Sequence, residues 1–159
     1  MRIIETKIYT FDELGDDAKE NARAWYREHI EYPWFSECLD CLKSFCSEFG
    51  VKVVDYCMGD ARRDFVKTDA TPANFRGVKL KSFDRETMPT GFCFDCDLRY
   101  TFFDEFQKTG DAFYSFNLAL ENFLQCVRND IDSQYENDSV DENIALNEYE
   151  FTENGVIVC

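Results

Sequence analysis

The sequence has one histidine, no long apolar run, and no lysine or arginine beyond Arg128. Each absence excludes something. A Ser-His or Cys-His catalytic arrangement would have to use His29. That residue sits near the end of an expected helix, where an imidazolium favours the helix dipole, so a capping or surface role is the simpler reading. No apolar run approaches the ~18 residues of a membrane span. The opening "MRIIETKIYTF" lacks a long apolar h-region and a small-residue cleavage site. No secretory leader is therefore expected, and the chain is expected in the cytoplasm. Phosphate loops, nucleophile elbows and dinucleotide fingerprints are also missing. No cofactor is expected. Direct binding to DNA or RNA is disfavoured, because phosphate binding needs clustered positive charge.

What is present points to a folded chain. Apolar residues make up 45% of the 159 and aromatics 16%, with 16 Phe. That is too apolar for disorder and suits a single domain over 1–159 with a sizeable core. Eight cysteines without a secretion signal read as reduced, buried thiols rather than a disulfide scaffold. The net charge of −15 is uneven. Residues 1–50 carry 11 acids and 6 bases, residues 51–85 carry 5 and 8, and residues 86–159 carry 16 and 3. Such a segment either keeps the protein soluble or favours a basic protein partner.

Periodicity then places the elements. Residues 2–11 alternate loosely and read as a strand. Leu14, Ala18, Ala22, Trp25 and Tyr26 follow at helical spacing, with Asp16 or Asp17 as the cap. A second helix is expected over 34–49, ended by Gly50 in a left-handed conformation. Residues 51–58 read as a strand, 59–77 as a long loop with room for a short strand, and 78–83 as a strand. In "GFCFDCDLRYTFF" (91–103) apolar residues alternate with polar ones, the pattern of an antiparallel strand with one wet face. Residues 111–134 are helical again. Ser139-Val-Asp-Glu142 is a capping-box pattern that starts a short helix to about Leu146. Asn154-Gly155 marks a hairpin turn between two short terminal strands. The class expected is α+β, with helices packed on one face of a mainly antiparallel sheet.

Four groups could carry chemistry. "CLDC" (Cys38, Cys41) and "CFDC" (Cys93, Cys96) have the spacing of zinc ligands. A strand would point Cys93 and Cys96 to opposite faces, and the usual knuckle glycines are absent, so buried thiols are the simpler reading. Asp95 and Asp97 share one face of the expected strand, beside Arg99. They could hold a divalent cation in a small metal-binding enzyme, or be alternating charges on a wet surface. "ARRDFVK" (61–67), the one basic patch, could touch RNA or an acidic partner, but the simpler reading is a loop whose charges pair with acids of the chain itself. Finally, Asp130, Asp132, Glu136, Asp138, Asp141, Glu142, Glu148 and Glu150 form an acidic series on expected helices and strands. Carboxylates three or four residues apart on a helix lie about 5–6 Å from one another. Rows of them approximate the charge spacing of a nucleic-acid backbone.

Two stretches carry a family resemblance. "KIYTFDELGDDAKENARAWYRE" (7–28) resembles the opening of a group of small phage and prophage proteins. "SVDENIALNEYEFTENG" (139–155) is similar to the same group's C-terminal segment. In the middle this chain has "VKTDATPANFRG" where the group commonly has a Trp-, Gly- and Ser-rich stretch. The resemblance implies a phage or mobile-element setting inside a bacterial host, and some members carry an antitoxin-like label. Small acidic proteins in that setting commonly inhibit host defences as DNA mimics or anti-CRISPR proteins. The expectation is a non-enzymatic inhibitor. It would bind a basic nucleic-acid-binding protein, such as a CRISPR effector or restriction enzyme, through the acidic series. The rivals are an antitoxin-like partner of a toxin and a small metal-binding enzyme.

Overall fold

The computed structural model describes residues 7–59 and 62–158. Among them lie five α-helices and two small antiparallel sheets, an α+β fold. The chain divides into two compact units, Met1–Tyr32 with Asp132–Cys159, and Pro33–Ile131.

The first unit is built from both ends of the chain. Strand β1 (Tyr9–Thr10) pairs antiparallel with β4 (Glu150–Phe151), Tyr9 opposite Phe151. A short 3-10 helix, Phe11–Glu13, leads into helix α1 (Asp16–His29). Helix α5 (Asn137–Leu146) completes the unit. Its core joins Phe11, Leu14, Ala18, Ala22 and Tyr26 to Val140, Ile144 and Phe151. The spacing of Ala18, Ala22 and Tyr26 puts them on one helical stripe, as the sequence indicates. The Asn154-Gly155 turn is present. The Thr152 amide donates to the Val156 carbonyl at 2.8 Å, and Phe151 bridges Ile157. Gly155 has φ 76°. A Cβ there would lie 2.0 Å from the Ala18 carbonyl oxygen, so only glycine fits.

The second unit holds helix α2 (Phe35–Glu48), hairpin strands β2 (Val53–Cys57) and β3 (Phe65–Thr68), helix α3 (Phe94–Thr109) and helix α4 (Ala112–Gln134). The last turn of α4, from Asp132, belongs to the first unit. Phenylalanines fill this core. Phe45 stacks on Phe116 at 5.5 Å, and Phe49 lies 4.9 Å from Phe102 and 5.1 Å from Phe75. Gly50 is left-handed at the end of α2, φ 65°, as its position suggests.

Several expectations are corrected. Residues 91–103 are not a strand, because α3 starts at Phe94. Phe94, Leu98 and Phe102 satisfy both a two-residue and a four-residue repeat. The buried Asp95 and Arg99 occupy the same inward stripe and break its apolar pattern. Residues 78–83 contain a 3-10 helix, Leu80–Ser82, in place of a strand. With these two strands gone, the sheet content is two separate pairs rather than one larger sheet. Gly15, not Asp16 or Asp17, caps α1, and both aspartates lie in its first turn. Helix α5 starts at Asn137 with Glu136 as cap, so Ser139 lies inside it. Arg27 fixes that start by donating to the Tyr135 carbonyl and to Asn137 Oδ1. Of the expected strand over 2–11, residues 2–6 lie outside the described residues.

Candidate acidic surface

The charge is partitioned between the units. The first holds 16 acids and 5 bases, a net −11, and the second 16 acids and 12 bases, a net −4. The 28 residues from Asp132 onward contain eight acids and no base. The acidic character of this sequence is therefore mostly a property of its smaller unit.

The structure sorts the expected site residues. Asp132 (at the end of α4), Glu136 (cap of α5), Asp138 and Glu142 (on α5), Glu148 and Glu150 are all exposed, and all belong to the first unit. Asp138 and Glu142 are one helical turn apart and share a face of α5. Glu150 alternates with the buried Phe151 on β4 and so points outward. Asp130 is half-buried and belongs to the second unit.

Asp141 departs from the expected series. Its two carboxylate oxygens accept from Arg23 Nε and Nη2, each at 2.6 Å. This bidentate pair ties α1 to α5 and holds the Arg23 guanidinium protonated well above its ordinary range, mainly through Asp141. Arg23 also pairs with Glu20 and faces the Phe11 ring. Asp141 is a strut inside the unit. Its partner lies 118 residues away, so no local pattern announces the pair.

Glu148 is the other feature that sequence reasoning missed. Among the described residues it is the one non-glycine with positive φ, at 53°. It follows Asn147, the C-cap of α5, where glycine or asparagine is the usual left-handed residue. A glutamate there is strained, and the signal in the sequence is the missing glycine.

The other candidate groups are tied into the second unit. Asp95 and Asp97 do not share a face, because residues two apart on a helix point in different directions. Asp95 is buried, and its Oδ2 accepts from the Thr90 amide and hydroxyl at 2.8 Å and the Gly91 amide at 3.1 Å. It anchors the start of α3. Asp97 is half-buried, and burial raises its carboxyl above the ordinary value. Arg99 is buried, pairs with Glu48, donates to the Asp84 carbonyl, and lies 4.6 Å from the Phe83 ring centroid.

Cys38 and Cys41 are buried on one face of α2, whereas Cys93 is exposed and Cys96 half-buried. Burial pushes the Cys41 thiol up to about 12. Among the described residues no group of three or more His, Cys, Asp and Glu is placed to hold a metal. His29 ends α1, where its ring stacks on Trp25 at 5.3 Å. In the basic stretch, Asp64 accepts from Arg128 Nε and Nη2, and Lys67 faces Asp55 across the hairpin. Residue 61 of that stretch lies outside the described residues.

Among the described residues no helix is long and apolar enough to cross a membrane. Comparison with family models, curated proteins and solved structures finds no match.

Proposed function

We propose that the chain is an inhibitor whose acidic unit occupies a cationic, nucleic-acid-binding surface on a host defence protein. One observation carries this reading: a net charge of −11 falls on the unit made from the two chain ends. Its carboxylates are held on ordered elements, with Asp138 and Glu142 on α5 and Glu150 on β4. Dense like charge opposes folding, and the unit offsets it with a buried aromatic and aliphatic core. The resemblance of residues 7–28 and 139–155 to small phage proteins supports the same setting.

Capture from bacterial lysate tests the reading. The bound partner is expected to be a basic nucleic-acid-binding protein, and capture should weaken steeply with salt, because exposed charges are screened. Replacing Asp132, Glu136, Asp138 and Glu142 together by Lys should abolish it. Capture that survives both treatments would place the binding surface elsewhere. An antitoxin-like role draws on the same acidic face, and recovery of one small toxin would select it instead.

A further inference from the structure

A groove of about 420 Å³ opens on the first unit, lined by residues of the 3-10 helix Phe11–Glu13 and of the C-terminal end of α5. Phe11 and Ile144 are buried beneath it, and its apolar surface comes from the exposed Ala145. The half-buried Tyr149 adds an aromatic wall. Its rim is anionic: Asp12, Glu148 and Glu150 are exposed. No lysine or arginine lines the groove. None of the three carboxylates is ion-paired among the described residues. Of the unit's own cations, Arg23 is held by Asp141 and Glu20, and Lys19 lies 5.4 Å from the Phe11 ring centroid. The strained Glu148 keeps a carboxylate on this rim where glycine would fit the backbone better.

We propose that this groove receives an arginine side chain of the basic partner. The accessible surface of Ala145 and Tyr149 suits the methylene stem, and a rim of carboxylates suits a weakly hydrated, planar guanidinium. The identity of the partner rests on the inhibitor reading, whereas the preference for arginine follows from the groove's own lining. A second groove, at the start of α1, has a more polar lining. There Glu13 already accepts from the Thr10 amide and hydroxyl.

The test is an amide-resolved NMR titration of the full chain with N-acetylarginine methylamide, and with its neutral citrulline counterpart. Arginine should move the amides of Phe11, Asp12 and Ile144–Glu150, and citrulline should not. Glu148→Gly should weaken arginine binding by about threefold or more, in the range of one exposed charge pair, while keeping or raising stability. Asp12→Asn and Glu150→Gln should weaken it without unfolding the unit. Equal shifts with citrulline, shifts spread evenly over exposed acids of both units, or unchanged binding in Glu148→Gly would overturn the proposal. The probe is a small molecule, so the result is independent of protein capture. Arginine binding without lysate capture overturns the inhibitor reading alone, and capture without arginine binding overturns the groove alone.

Discussion

Asp141 and Glu142 are neighbours in the sequence, yet they should behave in opposite ways. Asp141→Asn removes one charge and keeps the shape. Of the two charge-assisted contacts of 2.6 Å, between side chains 16% and 30% exposed, one loses its acceptor and the other its charge, since Asn keeps a single carbonyl oxygen. A fully exposed pair is worth at most about 1 kcal/mol, and a well-formed charged hydrogen bond about 1.5–3 kcal/mol. This pair is half-shielded, and Arg23 keeps Glu20 after the change. The expected loss is therefore about 1–2 kcal/mol in urea unfolding. In a double-mutant cycle with Arg23→Gln, the coupling should be about 1 kcal/mol. Glu142→Gln should stay within about 0.5 kcal/mol of the parent. Partner capture should show the reverse order, unaffected in Asp141→Asn and weakened in Glu142→Gln. If Asp141→Asn leaves the urea midpoint unchanged and weakens capture as Glu142→Gln does, Asp141 faces the partner and the strut is not formed.

Three other substitutions separate backbone, steric and solvation effects. Gly155→Ala combines a left-handed φ of 76° with a Cβ 2.0 Å from the Ala18 carbonyl, and should cost about 3 kcal/mol or more. Gly77→Ala, with φ 82° and nothing within 4 Å, should lose only the conformational part, about 1 kcal/mol, in the same denaturation assay. Asp97→Asn should raise stability at neutral pH. Burial lifts the folded-state pKa of Asp97 above 3.8, so the folded state holds the proton more tightly. The stability from this group is full below the unfolded value and falls as pH rises through the folded one. Urea unfolding across pH should show that fall in the parent and lose it in Asp97→Asn. No difference between them would mean that Asp97 is solvated.

The α-helices of the first unit were legible because their buried residues are all apolar: Ala18, Ala22, Tyr26, Val140 and Ile144 leave an uninterrupted stripe. Helix α3 was misread because Asp95 and Arg99 are buried on its inward face, satisfied by Thr90, Gly91, Glu48 and Asp84 from other parts of the chain. Periodicity cannot register a polar residue that is satisfied outside its own helix, as Asp95 is by the turn just before α3 and Arg99 by Glu48, 51 residues away. The acidic series was legible as composition, and most of it is exposed. What it hid was a strut within the series: Asp141 has the same local pattern as Glu142, and only the fold distinguishes them.

The first unit also has a consequence for how the protein is made. Its two segments flank a continuous insert of 99 residues, Pro33–Ile131. During synthesis most of the insert emerges before α5 and β4, so it can begin to fold while α1 and β1 wait without partners. Closing the first unit then requires joining strands some 140 residues apart, Tyr9 to Phe151, a contact of high sequence separation that forms slowly. The nascent chain thus carries its most basic region, residues 51–85, well before its acidic surface is assembled. Truncation after α4 should leave an insert that folds but an acidic surface that is never built.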